Sequence, residues 1–432
     1  TFTCPLTHDA LSGYYLASCP IAAAEMTYQI TAKITVDGEE ITDTYSAAEY
    51  SDVILAGRNF AERYIKAENA AGRNGEQRLK DLRYLVKTML DYGAKAQKQF
   101  KRDKVKNLFL QNAHLDVDVN PVLTDEEHLR AYRNKVQVPV QFNNGKTEMG
   151  FYQNHTNRII EYDRCCVQTD LSNDIVRSMK DWLQNLGCTS SFRHVLIKHA
   201  HRTGQVMVCM IVREYPFRNS EVLVQKLKDA YPQIRNIQCI VNRREDNVIL
   251  DGREIQIFGD GYIEESLGGF RFRISPKAFY QINPVQTQVL YGKAVEFADL
   301  KGNETVVDAY CGTGTIGIFM SKNAGKVIGV ELNPDAVEDA KFNAKKNGVK
   351  NIQFYCADAG DFMVELAARK RKIDVVITDP PRAGCSRDFL ESVVALSPKR
   401  VVYISCNPVT LARDLGYITR KGYKVSKIQP VD

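Results

Sequence analysis

Along the last third of the chain, the pattern of hydrophobic and polar residues switches repeatedly between that of a buried strand and that of an amphipathic helix. From residue 285 onwards, short apolar runs alternate with amphipathic stretches of helical length. A strand, a helix and a second strand in this order form a βαβ unit, whose strands lie parallel in one sheet. The pattern therefore predicts an α/β domain of Rossmann-like fold over residues 285–432, with helices on both faces of a parallel-dominated sheet.

The region before this domain mixes strand and helix patterns without a βαβ repeat. Apolar alternation predicts short strands at 136–142, 194–198 and 206–212. An amphipathic period predicts a helix at 170–186. We interpret residues 126–284 as a smaller, central α+β domain.

The first 105 residues have the pattern of a separate α+β segment. Alternating residues at 26–36 lead into Asp37-Gly38, a turn signal typical of a β-hairpin. Two helices are predicted next, at 47–67 and 78–99. The basic run at 98–106 is interpreted as an exposed linker rather than as an RNA contact. Residues 106–125 would then connect this segment to the central domain.

The composition is that of a globular protein with a substantial core. Hydrophobic residues make up 44% and charged residues 25% of the 432 positions. No apolar run approaches the ~18 residues that span a bilayer, and no signal peptide follows Thr1, so we exclude an integral membrane protein. Eleven cysteines without disulfide-like spacing favour a reduced, cytoplasmic location. The net charge of +6 suits an RNA-binding protein and equally an ordinary soluble one, and we expect a monomer.

A glycine-rich turn and a series of acidic residues predict a nucleoside cofactor site in the last domain. The turn at 310–314 follows an apolar strand, and glycine there lets a ligand approach the backbone. Each following strand ends near an acid, and these ends share one edge of a parallel sheet. Glu331 would accept hydrogen bonds from ribose hydroxyls. Asp358 would meet the adenine amino group or, in the alternative, cap a helix.

The most reactive candidate is Cys406, which stands where a buried strand meets a helix. The partial positive charge of a helix start favours a thiolate, and the thiolate is the nucleophilic form of cysteine. A cysteine is more often a packing residue, but the position beside the predicted cofactor site favours catalysis.

A thiolate at this position indicates methylation of carbon 5 of uracil. That carbon is too weakly nucleophilic to take a methyl group from a sulfonium unaided, and thiolate attack at carbon 6 turns the ring into an enolate. The base must also leave its stack to reach the pocket. In methyltransferases that act on amino nitrogens an aromatic residue usually follows Asp-Pro-Pro, whereas Arg382 follows it here. Amino methylation is therefore disfavoured.

Five motifs in residues 132–432 resemble those of the bacterial RNA uracil-5-methyltransferases, most closely the 23S ribosomal RNA enzymes of Gram-positive bacteria. The motifs are Tyr-Arg-Asn-Lys at 132–135, Phe-Tyr-Gln-Ile-Asn at 279–283, Asp-Ala-Tyr-Cys-Gly-Thr-Gly at 308–314, Asp-Pro-Pro-Arg at 379–382 and Ser-Cys-Asn-Pro at 405–408.

This resemblance implies a class I methyltransferase fold, S-adenosylmethionine as cofactor, RNA as partner and 5-methyluridine as product. It implies Cys406 as the nucleophile and residues 132–135 as part of a central RNA-binding face. The residues expected at the cofactor are Gln281, Tyr310, Glu331, Asp358, Asp379, Asp308 and Gly312.

The sequence departs from the family's pattern in three places. We find no N-terminal RNA-binding β-barrel. Cys165 matches the fourth ligand of the family's [4Fe–4S] cluster, but Cys4 and Cys19 are too far apart to belong to a close-spaced trio, so we expect no cluster and assign Cys165 to packing. His155 and His194 lack partners at metal-ligand spacing, and no metal is expected.

The third departure concerns the end of the sequence at residues 430–432. The family's general base is a glutamate shortly beyond this point, and the last strands of the sheet would also follow it. We therefore expect a truncated sheet, slow proton removal and a persistent protein–RNA adduct.

The first 105 residues lie outside the resemblance. Segments 45–50 and 85–94 instead resemble a small module of clostridial surface proteins. A genuine fusion and a rearranged reading frame both remain open.

Two other functions remain open. One is an RNA cytosine-5-methyltransferase, which shares the thiolate chemistry but normally carries a Pro-Cys pair elsewhere. The other is a fragment that binds S-adenosylmethionine or RNA without turnover.

Overall fold

The computed structural model describes residues 54–56, 58–125, 129–154 and 156–432, together with the backbone of four strands between residues 7 and 45. The Asp37-Gly38 turn, residues 47–53, Cys4, Cys19 and His155, all of which carried predictions, lie outside these residues. The chain divides into two compact units. One comprises Thr1–Asn107 and Asp118–Val122, and the other comprises Leu108–Val117 and Leu123–Asp432.

Short antiparallel strand pairs and two helices make up most of the first unit. β1 (Thr7–His8) pairs with β2 (Tyr15–Leu16), and β3 (Ile30–Val36) pairs with β4 (Glu39–Tyr45). The second pair confirms the predicted hairpin. Helix α1 covers Arg58–Ala70.

Helix α2 (Gly75–Ala113) corrects one prediction. It contains the predicted helix at 78–99 but continues through the basic run at 98–106, which was wrongly interpreted as a linker. Lysine, arginine, glutamine and alanine are all strong helix formers, and apolar residues such as Phe109 recur among them, so the helical conformation persists.

The central domain is built on a mixed sheet with the strand order β11-β10-β9-β8-β5-β6-β7. Only β9 and β10 pair in parallel, because a helix connects them. The predicted helix α3 has the expected bounds, with a capping Thr169 and a left-handed Gly187 at its ends. The elements of this domain are β5 (Lys135–Asn143), β6 (Lys146–Tyr152), β7 (Ile159–Glu161), α3 (Asp170–Leu186), β8 (Phe192–His199), β9 (Val206–Val212), α4 (Ser220–Ala230), β10 (Ile234–Val241), β11 (Arg253–Phe258), and a hairpin of β12 (Ile263–Leu267) and β13 (Phe270–Ile274).

The last domain confirms the predicted α/β fold. Among the described residues its sheet has five strands, all parallel, in the order β16-β15-β14-β17-β18. The elements are α5 (Pro284–Ala298), β14 (Thr305–Ala309), α6 (Thr315–Ser321), β15 (Lys326–Glu331), α7 (Pro334–Lys346), β16 (Ile352–Cys356), α8 (Ala359–Ala368), β17 (Val375–Thr378), α9 (Arg387–Leu396), β18 (Arg400–Tyr403) and α10 (Pro408–Thr419).

Both faces of this sheet are buried, which explains its continuous apolar strands. Val306 and Val327 belong to the core on one face, whereas Val307 and Val330 belong to the core on the other. After β14, the next two strands of the chain are added on one side of it and the following two on the other. A crevice therefore opens between the ends of β14 and β17, and open α/β sheets bind their ligands in a crevice of this kind. Within the described part of the chain, no helix has the length and apolar character to cross a membrane.

Close packing against Gly329 in β15 generates a prediction about stability. A Cβ atom at this position would lie 2.4 Å from Cδ1 of Phe354 and 3.1 Å from Sγ of Cys311. Because the ring would have to move within a packed core, we expect Gly329→Ala to lower the free energy of unfolding by about 1–3 kcal/mol in chemical denaturation. Gly292 in α5 has no atom within 4 Å of such a Cβ. The control Gly292→Ala should raise stability by about 0.5–1 kcal/mol, and equal stability of both variants would contradict this packing.

Candidate active site

Three carboxylates meet at the carboxyl edge of the parallel sheet, as the sequence predicted. Asp308 lies in β14, Glu331 ends β15, and Asp379 follows β17. Asp308 is fully buried, and its Oδ2 accepts a hydrogen bond of 2.7 Å from the backbone N–H of Gly317. Its Oδ1 is also buried and has no hydrogen-bond partner among the described residues. The cluster therefore presents an unsatisfied acceptor.

Burial raises the pKa values of Asp308 and Asp379. Burial is the main cause that lifts the pKa of Asp308 to about 8; the Gly317 N–H opposes the shift, while the charges of Asp379 and Glu331 add to it. Burial also raises the pKa of Asp379 to about 6. Desolvated carboxylates of this kind favour a cationic ligand, which would stabilise their ionised forms.

The glycine-rich turn brings the backbone close to Glu331. Gly312 and Gly314 take left-handed φ angles of 52° and 78°. The N–H of Gly312 donates to Oε2 of Glu331 at 3.0 Å, and the N–H of Asn333 donates to Oε1 at 2.9 Å. Each carboxylate oxygen keeps a lone pair, so Glu331 is held in place and can still accept from a ligand hydroxyl.

Tyr310 is the one non-glycine residue of this turn with a left-handed backbone, at φ 61°. Such a conformation is strained for a tyrosine and is found where a site requires it. Its ring lies 5.7 Å from that of Phe389, and burial raises the pKa of its hydroxyl, with the charge of Asp358 contributing.

Asp358 serves as the N-cap of α8. Its Oδ1 accepts from the N–H groups of Gly360 at 2.8 Å and Asp361 at 3.2 Å. The capping role, which the sequence left as an alternative, is therefore present. Contact of this side chain with adenine stays a prediction.

A buried tyrosine that the sequence did not single out lies near both Gln281 and the acidic cluster. The hydroxyl of Tyr291, in α5, lies 3.3 Å from Oγ1 of Thr315. Burial raises the pKa of Tyr291, and the charges of Asp379 and Asp308 raise it further. Its apolar helical position is typical of an ordinary core residue, so the sequence offered no signal.

Cys406 is exposed and lies in the loop between β18 and α10. The next residue, Asn407, caps α10 by accepting from the N–H of Val409 at 3.1 Å and donates to the carbonyl of Arg382, also at 3.1 Å. Thr410 donates to the same carbonyl at 3.2 Å. The loop that carries Cys406 is therefore hydrogen-bonded to the Asp-Pro-Pro-Arg loop at 379–382.

A buried carboxylate in α10 holds these two loops together. Oδ2 of Asp414 accepts from the N–H of Cys385 at 2.8 Å and from the hydroxyl of Tyr403 at 2.7 Å. Its Oδ1 pairs with Arg413 at 2.7 Å, and Arg413 donates to the carbonyl of Ala383 at 2.8 Å. The sequence missed this network because, apart from the adjacent pair Arg413 and Asp414, its partners are 11 to 30 positions apart.

The other cysteines in the described part of the chain occupy core, strand-end and loop positions. Cys311 and Cys385 are buried, and Cys356 is exposed at the end of β16. The backbone of Cys165 exchanges two hydrogen bonds with the side chain of Asn173. Within the part of the chain that the structure describes, no cluster of three histidine, cysteine or acidic residues could hold a metal ion.

Comparisons with known proteins agree with this geometry. The sequence model of a family described as tRNA (uracil-5-)-methyltransferase matches residues 93–432. An uncharacterized RNA methyltransferase of Clostridium tetani is 41% identical over 346 residues, which cover 78% of this chain and 75% of the relative. A similarly named protein of Listeria innocua is 35% identical over 440 residues, covering 99% of this chain and 92% of the relative.

A solved structure shares the fold. The crystal structure of a Pyrococcus abyssi tRNA (uracil-54, C5)-methyltransferase in complex with S-adenosyl-L-homocysteine matches with a TM-score of 0.63 at 24% identity, covering 78% of this chain and 80% of that chain.

The Asp414 network generates a prediction about the integrity of the site. Asp414→Ala would leave the N–H of Cys385 and the hydroxyl of Tyr403 without an acceptor and Arg413 without its charged partner. We expect the free energy of unfolding to fall by about 3 kcal/mol in chemical denaturation. Asp388, exposed in the first turn of α9, provides the control, because Asp388→Ala should change stability by less than about 1 kcal/mol. Similar losses in the two variants would argue against the network.

Proposed function

The chain belongs to the tRNA (uracil-5-)-methyltransferase family, and on that premise we propose that it methylates carbon 5 of a uracil in 23S ribosomal RNA through a covalent bond between Cys406 and carbon 6 of the base. The single observation that carries the mechanism is the exposed thiol beside the Asp-Pro-Pro-Arg loop, one strand away from the acidic cluster. The choice of ribosomal RNA rests on the five sequence motifs.

The acidic cluster fits the family's cofactor, S-adenosylmethionine. Bound there, the cofactor supplies an electrophilic methyl group on a positively charged sulfonium. The unpaired Oδ1 of Asp308 and the half-buried carboxylate of Asp379 offer the negative charge that such a cation needs. Glu331 can accept from ribose hydroxyls, and the open backbone at Gly312 allows close approach. Gln281, Tyr310 and Asp358 complete the proposed set of contacts.

The nucleophile prepares the base for methylation. The thiolate of Cys406 adds its electron pair to carbon 6, and the electrons of the 5,6 double bond move into the enolate and make carbon 5 nucleophilic. After carbon 5 has gained its methyl group, a base removes the proton from that carbon. The electrons of the broken C–H bond restore the double bond, and the thiolate leaves carbon 6.

RNA would reach the thiol as a flipped base. Exposed Cys406 needs no conformational change to meet a base, whereas the base must leave its stack. Phe279, two residues before Gln281, exposes 67% of its surface and offers a ring on which a neighbouring base could stack.

A matched pair of cysteine variants tests the mechanism. Wild type, incubated with methyl-labelled S-adenosylmethionine and fragments of 23S ribosomal RNA, should produce 5-methyluridine. Cys406→Ala should reduce labelling by on the order of 10³-fold, because carbon 5 is then not activated. Cys356→Ala, which removes another exposed thiol near the same sheet edge, should leave labelling unchanged.

The other outcomes separate the alternatives. Equal labelling by wild type and Cys406→Ala would reject the thiolate mechanism. Labelling of transfer RNA in place of the ribosomal fragments would favour the substrate class that the family's description names. Cofactor binding without any labelled RNA would indicate a chain that binds without turnover.

The raised pKa values predict how cofactor affinity depends on pH. A cation at the cluster lowers the pKa values of Asp308, about 8, and Asp379, about 6, so its binding releases protons. Affinity for S-adenosylmethionine should be greatest above pH 8 and fall as pH is lowered towards 6. S-adenosylhomocysteine, which lacks the sulfonium charge, should show a weaker dependence.

Calorimetry in buffers of different ionisation enthalpy measures these released protons directly. Asp308→Asn should reduce proton release near pH 8, whereas the control Asp388→Asn, at an exposed position, should not. Identical pH dependence for the two ligands would contradict a cation-binding cluster.

A further inference from the structure

A lysine is buried in the central sheet, and the mechanism above does not use it. Lys198 in β8 is only 4% exposed. Burial is the main cause that lowers its pKa to about 7, helped by the charge of Lys135 on β5, whereas Cys209 on β9 and Asp339 on α7 oppose the shift. A buried ammonium group is costly, and an apolar side chain would fill the same volume more favourably. Packing alone therefore does not explain a lysine at position 198, and its amino group needs polar partners.

The ammonium group of Lys198 binds the loop that carries Gln281. Its Nζ donates to the carbonyls of Ser275 at 2.8 Å and Ala278 at 2.7 Å. This loop, residues 275–283, connects β13 to α5. Because both hydrogen bonds come from one buried Nζ, they tie two carbonyls of an irregular segment to β8.

Asn134 holds the other end of the same loop. Its Nδ2 donates to the carbonyl of Gln281 at 2.9 Å, and its backbone N–H donates to that of Ile282 at 3.0 Å. Its own carbonyl accepts from the N–H of His199 at 2.8 Å, and Lys135 pairs with Lys198 in the sheet. Lys198 and Asn134, the residue just before β5, thus bind four backbone carbonyls of the loop, two of them at Gln281 and Ile282.

The loop is also attached to the methyltransferase domain. Ser275 donates to Oδ2 of Asp339 at 2.6 Å, and Asp339 belongs to α7, the helix that follows Glu331. The position of Gln281 relative to the acidic cluster is therefore set by contacts with both the central sheet and the Rossmann-like domain.

We propose that Lys198, together with Asn134, is a positioning residue that holds loop 275–283 so that Gln281 meets the cofactor. The role rests on the proposed function, because Gln281 is assigned to the cofactor there. Lys198 touches neither substrate nor cofactor and acts through the backbone of the loop. The central domain thereby contributes to cofactor binding.

Variants of Lys198 separate positioning from simple stability. In Lys198→Met, hydrogen exchange of amides in loop 275–283 should accelerate at least tenfold, while that of β9 stays unchanged. The dissociation constant of S-adenosylhomocysteine and the KM for S-adenosylmethionine should rise about tenfold, with kcat at saturating cofactor within about threefold of wild type. Lys198→Gln, which keeps a donor, should recover part of the affinity. The control Lys226→Met removes a surface lysine that lies over Trp182 and should change none of these quantities.

Each outcome decides the question. Unchanged loop exchange and affinity in Lys198→Met would overturn the positioning role and leave the proposed function intact. Accelerated exchange in β9 together with the loop, or unfolding of both Lys198 variants, would show a merely structural role and also overturn it. Wild type that binds no S-adenosylhomocysteine would refute the proposed function, and the assignment of Lys198 with it.

Discussion

Carboxylates withdrawn from water at one edge of a parallel sheet impose the main physical constraint on this structure. Asp308 is completely buried with an oxygen that lacks a partner, and Asp379 and Glu331 act on it electrostatically. Burial and the neighbouring negative charges make ionisation of Asp308 unfavourable unless a cation is present. The left-handed turn at Tyr310 and Gly312, which leaves room beside Glu331, fits the same requirement. Binding of a sulfonium cofactor would relieve the electrostatic cost that folding creates.

The proposed nucleophile, Cys406, lies on a loop that hydrogen bonds hold in place. The sheet order places the acids on β15, β14 and beyond β17, and the thiol beyond β18, so the proposed site extends across four adjacent strands. At about 4.8 Å between strands, a cofactor bound at the acids and the proposed nucleophile Cys406 would lie within reach of one base. Asn407, Thr410 and Asp414 join the loops after β17 and β18 by hydrogen bonds. The thiol is thus exposed, yet its loop is held by groups that are not themselves reactive.

The sequence predicted the parts of this site that local pattern determines. The strands that end at Glu331 and shortly before Asp358, the glycine turn and the position of Cys406 all follow from periodicity and motif spacing, and the structure agrees. Long-range contacts left no such signal. Lys198 binds carbonyls 77 and 80 residues away, and an isolated lysine in an apolar strand does not indicate which backbone it serves. The basic run at 98–106 has the charge of an exposed linker but also the composition of a helix. Its helix propensity determines the structure, so α2 continues through it.

The most direct test of the account is a covalent trap. In RNA that carries 5-fluorouridine, carbon 5 holds fluorine where the departing proton would be, so a base that has gained both the thiolate and the methyl group cannot release the enzyme. We expect wild type with S-adenosylmethionine to form a complex stable to denaturation, whose mass equals protein plus RNA plus one methyl group. Peptide mapping should locate the bond at Cys406. A complex bonded through another residue, or the absence of any adduct under conditions in which the enzyme methylates unmodified RNA, would contradict the central claim.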